Sequence, residues 1–194
     1  MKKITTLLAV IALAGTAYAQ NWKLDAAHSK IHFSTSYLVI TDVEGDFKKI
    51  DGTFASSKAD WSDLKTTVTA DVASISTDNE MRDKHLKSED FFNAEKFPAI
   101  TFKSKSVKNI GGNKFILTGD LTIRDVTKEV MIPVVYNGTV TDPWGNIKAG
   151  FKAAGKINRK EYNLKYSNAA KTGEAVVGDE VEFTIDLILV KQVS

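Results

Sequence analysis

The chain has 194 residues, with 26 basic side chains against 24 acidic ones and no cysteine. A near-neutral chain without a basic cluster lacks the electrostatic footprint of a nucleic-acid binder. The missing cysteines exclude disulfides, thiol nucleophiles and thiolate metal sites, so packing or a bound ligand must hold the fold together.

The first nineteen residues stand apart. Lys2 and Lys3 give a positive start, Ile4–Ala14 is apolar but too short to cross a bilayer, and Ala17-Tyr18-Ala19 fits a small-residue cleavage site. Residues 1–19 are expected to be a signal peptide. That leaves one domain over 20–194, exported to the periplasm or secreted. Without Lys2 and Lys3 this domain carries 24 basic and 24 acidic residues. No later stretch is long and apolar enough for a membrane span.

Strands dominate the remainder. Trp22–Ala27 and Ile31–Tyr37 read as strands, and Ile31, Phe33, Thr35 and Tyr37 share one face. The pattern resumes at Val43, Gly45 and Phe47, then changes parity at Lys48-Lys49 before Ile50, Gly52 and Phe54. Such a slip predicts a bulge or a sharp bend. Ala55–Asp63 is a polar loop with Trp61 packed beneath it. Lys65–Ile75 is the next strand, with Val68, Ala70 and Val72 on one face.

Thr77–Phe102 is the one helical interruption. Thr77 and Glu80 fit a capping box, and a short helix is expected from about Asp78 to Lys87. Met81 and Leu86 supply its apolar surface, and Ser88 can cap a second turn. Phe91, Phe92 and Phe97 follow, and Phe97-Pro98 forces an extended entry to the strand at Ala99. The segment is either a plug that closes a core or a lid over an apolar cavity.

Beyond it, Gly111-Gly112 marks a hairpin, and Phe115, Leu117, Gly119, Leu121 and Ile123 alternate with Ile116, Thr118, Asp120 and Thr122. Val130, Ile132, Val134 and Tyr136 line the next strand. Pro133 cannot donate to a ladder, so it predicts a split in the sheet or a bulge. Asn137-Gly138 has hairpin chemistry, but Asp142–Asn146 is the better loop, which leaves Gly138 as a bulge. Ile147–Ile157 and Val181–Leu189 complete the set. Eight or so strands joined by hairpins predict a β-barrel or a sandwich.

Few residues suggest chemistry. There is no G-x-S-x-G elbow and no phosphate loop. His28 and Ser29 are adjacent and would point to opposite faces of a strand. His28 and His32 would lie roughly 13 Å apart at strand rise, too far for one ion. Arg82, Asp83 and His85 on the helix read best as groups that fix the helix on its support. Neither a metal nor a cofactor is expected. Inward positions mix large residues (Phe115, Phe183) with small ones (Gly119, Ala149, Gly155), so the interior is either filled by its aromatics or left as an apolar cavity. The expected lining is Phe33, Val68, Ala70, Leu86, Phe102, Leu117, Ile132, Val134, Phe151, Ala153, Phe183 and Leu187.

Several motifs resemble one family. They are Asp25-x-x-His28-Ser29-x-Ile31-x-Phe33, Arg82-Asp83-x-His85-Leu86-x-Ser88-x-Asp90-Phe91-Phe92, Phe97-Pro98-x-Ile100-Thr101-Phe102 and Gly119-Asp120-Leu121-Thr122-Ile123. Val126-Thr127-Lys128, Asp142-Pro143-Trp144-Gly145, Ala149-Gly150-Phe151 and Ile157-Asn158-Arg159 follow in order. Together they resemble the YceI-like family of periplasmic polyisoprenoid-binding proteins across the whole domain. The resemblance implies an all-β, lipocalin-like fold: an extended eight-stranded antiparallel barrel with one or two short helices packed against it. It also implies a tubular pocket for a polyisoprenoid, an isoprenoid quinone or its precursor, or a fatty amide, with no catalytic residues, and it allows a homodimer. Family members often carry a His where this chain has Ser36-Tyr37. Arg82, His85 and Arg159 are the candidates for polar contacts at the mouth. The competing readings are an exported enzyme acting on an isoprenoid or lipid at Arg82, Asp83 and His85, and a packed, stress-related interaction domain.

Overall fold

A computed structural model describes residues 20–169, 171, 173 and 175–192. The expected signal peptide lies outside the described residues. Eleven strand segments follow one another in a single antiparallel sheet: β1 (Gln20–Leu24), β2 (Lys30–Tyr37), β3 (Thr41–Phe47), β4 (Ile50–Ser56), β5 (Lys65–Asp71), β6 (Ile75–Ser76), β7 (Ala99–Gly111), β8 (Lys114–Ile123), β9 (Val126–Thr141), β10 (Ile147–Asn158) and β11 (Val177–Lys191). The helix α1 (Glu80–Lys87) stands between β6 and β7.

These segments make eight lanes. β1 and β2 both pair with β11, so they are two halves of one lane. β3 pairs with β2 and β4 with β1, and β5 and β6 pair with β4 and β3 in turn. Each of these three lanes is broken once, by the turn Ala26–His28, by Lys48-Lys49 and by the turn Val72–Ser74. The parity change at Lys48-Lys49 is therefore a corner between two half-strands. The expected strand Lys65–Ile75 is interrupted because the Asp71 carboxylate accepts from the Ala73 N–H at 2.9 Å, which starts a turn. The first strand stops at Leu24 because the backbone folds into a turn after Asp25.

The lanes run as an up-and-down meander whose first lane meets its last, and the ring closes into an eight-stranded barrel. The connections alternate between its ends. Residues 38–40, α1, Arg124-Asp125, 159–169 and 175–176 cap one end, and 57–64, 112–113 and 142–146 cap the other.

Pro133 marks where the wall parts. β10 pairs with β9 from Thr141 to Val134 and no further, while β9 keeps its ladder with β8 through Val126. The turn Arg159–Tyr162 covers this seam, with Lys128 Nζ 2.7 Å from Glu161 and 5.9 Å from the centre of the Tyr162 ring. Gly138 opposes Gly150 and Tyr136 opposes Phe151, so Asn137 is the extra residue of a bulge and Gly138 takes φ 110°. The tight turn lies at Asp142, whose carboxylate accepts from the Trp144 and Asn146 N–H groups.

The helix begins later than its sequence suggests. Asp78 sits at φ 56°, a left-handed geometry that cannot continue a right-handed helix, and Asn79 is the cap, accepting from the Arg82 N–H at 3.0 Å. Thr77 is not a cap. Its hydroxyl donates to Asp83 and accepts from Arg82 Nε, each at 2.6 Å. Met81 is 83% exposed and gives the helix no buried surface; Leu86 alone faces inward.

Candidate functional site

Alternation along each lane sends one set of side chains into the barrel. They enclose a cavity of about 230 Å³. Its wall takes Phe33 from β2, Val68 and Ala70 from β5, Phe102 from β7 and Leu117 from β8. Ile132 and Val134 come from β9, Phe151 and Ala153 from β10, Phe183 and Leu187 from β11, and Leu86 from α1. Several of these, Phe183 among them, point inward yet are only half-buried, because the surface they keep faces the lumen.

Glycines explain why the aromatics do not choke the tube. The ring of Phe33 lies over Gly45, that of Phe102 over Gly119 and that of Phe183 over Gly155. Each ring occupies space that a Cβ would have taken, and so lies against the wall instead of crossing the centre. The small residues make room for rings, and the rings then leave the lumen clear.

The two ends are built differently. At the end opposite α1, Trp61 is 4% exposed and stacks among Trp22, Phe151 and Tyr136 at centroid distances of 4.9, 4.8 and 5.8 Å. Its loop is held by Asp63, which accepts from the Ser56 and Ser57 hydroxyls and from the Ser57 N–H. Burial alone would raise the Asp63 pKa, but these hydrogen bonds outweigh it and keep the carboxyl well below its usual range. Outside the same end, Lys148 ties Asp25 to Asp142 at 3.0 and 3.6 Å, and Asp25 also meets His28. That uses the acidic residues of two motifs in a structural cross-tie.

At the α1 end, Phe91 and Phe92 join Leu86 over the lumen, and Leu164 comes from the far connection. Phe91, His85 and Tyr166 form an aromatic trio with centroids 4.7–5.0 Å apart. Arg124 binds the Phe91 carbonyl at 2.7 Å and the Asn163 carbonyl at 2.9 Å, clasping the two covering segments together.

The three polar candidates do not converge on one mouth. Arg82 is turned to Thr77, donating to its hydroxyl and its carbonyl, and does not line the cavity. His85 pairs with Asp90 at 3.0 Å outside the lining. Arg159 does line the cavity, 3% exposed, but all five of its N–H donors are taken. They reach the carbonyls of Gly178, Leu164, Tyr166 and Val177 and the Asp179 carboxylate. Burial lowers its pKa and Asp179 opposes that shift. A ligand would meet its stem and guanidinium face, not a free donor.

Asp83 and Arg82 are bound to Thr77 and to the helix start, so the helix cluster is a local brace. Ser29 Oγ accepts from the Ile188 N–H at 2.9 Å. Among the described residues, no group of three or more His, Asp or Glu is placed to hold a metal ion.

Two polar wall residues were not in the expected lining: Thr35, which the sequence placed on the Phe33 face, and Thr66. Both share strand parity with residues that were expected inside, Phe33 and Val68, and that alternation was the signal available. Thr35 donates to the carbonyls of Gly178 and Glu180. Thr66 is 6% exposed and its hydroxyl has no partner.

A family model described as the YceI-like domain matches residues 22–189. Protein YceI of Escherichia coli O157:H7 is 40% identical over 162 residues, spanning 82% of this chain and 84% of that protein. The crystal structure of BcnA from Burkholderia cenocepacia matches with a TM-score of 0.74 at 27% identity, over 85% of this chain and 98% of that one. A polyisoprenoid binding domain from Saccharophagus degradans matches with a TM-score of 0.63, over 88% of this chain and 98% of that one. At 14% identity that likeness concerns the fold alone.

Proposed function

The chain belongs to the YceI-like domain family, and from that premise we propose a non-catalytic carrier that holds one long apolar molecule inside its barrel. The ligand class is a polyisoprenoid, an isoprenoid quinone or its precursor, or a fatty amide. The protein works after export, in the periplasm or outside the cell. The observation that carries this reading is the wall: among the described residues, every one lining the cavity apart from Thr35, Thr66 and Arg159 is apolar. The S. degradans protein is a polyisoprenoid binding domain, and such a wall suits a polyisoprenoid.

The magnitudes favour an apolar chain. A water-sized group needs about 10–15 Å³ on this measure, so the space accepts roughly fifteen to twenty groups the size of a methylene. At about 0.8 kcal/mol each, their burial contributes over 10 kcal/mol gross, against several kcal/mol lost to ordering. No polar contact in the lumen competes with that. Among the described residues, no helix is long and apolar enough to cross a membrane.

Native mass spectrometry of protein purified from the periplasm tests the reading, and extraction then identifies the adduct. A lipid-sized mass, lost on denaturation, is expected. A ligand-free protein that takes up neither a fluorescent prenyl probe nor a fluorescent acyl probe would overturn it.

A further inference from the structure

Among the described residues, Thr66 is the one polar wall residue whose side chain has no protein partner. The Thr35 hydroxyl and all five Arg159 donors are engaged, whereas Thr66 Oγ1 is buried and unpaired. Its backbone N–H is satisfied by Ser104 Oγ at 2.8 Å, so the strand itself is not short of a bond. The side chain shares the inward face with Val68 and Ala70 and lines the cavity. Buried hydroxyls are normally paired, and one left unpaired in a cavity wall marks a place where something else bonds.

Position gives the group a meaning. Ala70 packs with Leu86 and Phe92 under the lid. Thr66 lies four residues back along β5, roughly 13 Å deeper. It opposes Phe54, just above the Trp61 closure. Among the described residues, the only charged one in the wall is Arg159, bonded to the connection at the α1 end. A carboxylate or phosphate buried beside Thr66 would meet no counter-charge, and desolvation would exclude it. A neutral acceptor would lose little and gain one hydrogen bond.

We propose that Thr66 reads an uncharged hydrogen-bond acceptor, a carbonyl of the ketone, quinone or amide kind, carried on the end of the ligand that enters first. The chain then runs back from Thr66 toward the lid, and a charged headgroup, if the molecule has one, stays at the α1 end. This deepens the carrier reading and rests on it.

Displacement of a fluorescent acyl probe from the full chain by hexadecanamide, hexadecanoate and hexadecane separates the two claims. The wild type is expected to prefer the amide over the hydrocarbon. Thr66→Val should weaken the amide by about 3- to 10-fold, the loss of one hydrogen bond, and leave hexadecane unchanged. Thr66→Ser should keep the preference. Removing an unpaired hydroxyl should also leave the melting temperature of the empty protein unchanged or raised. An unaltered amide-to-hydrocarbon ratio in Thr66→Val, or a clear fall in its melting temperature, would overturn the role of Thr66 while the carrier reading stands. Failure of all three compounds to displace a bound probe would overturn the carrier reading as well.

Discussion

Phe183 lies across Gly155, its direct partner in the β10–β11 ladder, so closely that a Cβ on Gly155 would stand 2.6 Å from the ring's Cζ. The contact is with the free end of a side chain beside an open lumen. Gly155→Ala is therefore expected to fold and to push the ring into the tube. Long-chain probes should bind at least tenfold more weakly while the melting temperature shifts little. Titration of a fluorescent prenyl probe checks this. The second change Phe183→Ala should restore uptake, because it removes the displaced ring.

Gly119 makes the opposite case. A Cβ there would collide with the Lys103 carbonyl as well as with the Phe102 ring. Backbone in the neighbouring strand cannot swing aside. Gly119→Ala should destabilise the fold by about 1–3 kcal/mol, the usual cost of overpacking. A urea midpoint lowered relative to Gly155→Ala is the expected measurement.

Arg159 holds five acceptors from the segment 164–179. Arg159→Met removes the donor from the Leu164, Tyr166 and Val177 carbonyls, whereas Gly178 keeps the Thr35 hydroxyl and Asp179 keeps Lys160 at 2.8 Å. A loss of roughly 2–4 kcal/mol is expected, at about 1–3 kcal/mol for each carbonyl left buried without a donor. Limited proteolysis should then cut within residues 164–178 before any barrel strand.

Asp63 sets a pH dependence. Its hydrogen bonds hold the folded-state pKa below the unfolded value of about 3.9. A depressed carboxyl stabilises the fold fully above the unfolded pKa, and that stability is lost as pH falls toward the folded one. Asp63→Asn should be less stable than the wild type at pH 7, and the gap should shrink as pH drops below about 4. Urea midpoints across that range, followed by tryptophan fluorescence, to which the buried Trp22 and Trp61 contribute, report it.

Leu38 and Val39 turn the β2–β3 hairpin with φ of 52° and 62°, and Val39 is largely exposed. Left-handed geometry is costly for a branched side chain and free for glycine. The paired change Leu38→Asn and Val39→Gly suits such a turn and should stabilise the protein by about 1 kcal/mol or more. Thermal unfolding of the double variant tests this.

Much of the architecture was legible along the chain, because a barrel writes itself as period two. The alternation at Ile31–Tyr37, Phe115–Ile123 and Val181–Leu189 marked inward faces, whereas Leu86, on the helix, lies outside any period-two pattern. The parity slip at Lys48-Lys49, the bulge at Gly138 and the parted wall at Pro133 were local backbone statements, and each has a local cause. The helix start was misread for a related reason. A capping box needs Thr77 next to the first turn, but the left-handed Asp78 moves the cap to Asn79 and hands Thr77 to Arg82 and Asp83.

What sequence by itself determined is which side chains face inward, since that depends only on parity within a strand. Whether they fill the interior was decided by tertiary structure. Phe33 and Gly45 are twelve residues apart, Phe102 and Gly119 seventeen, and Phe183 and Gly155 twenty-eight; only strand pairing lays each ring on its glycine and empties the centre. The same holds for polar groups. Nothing in the order of residues distinguishes Arg159, with its donors taken by four carbonyls and the Asp179 carboxylate, from Thr66, whose hydroxyl has no partner, because partners in a folded chain are chosen by space.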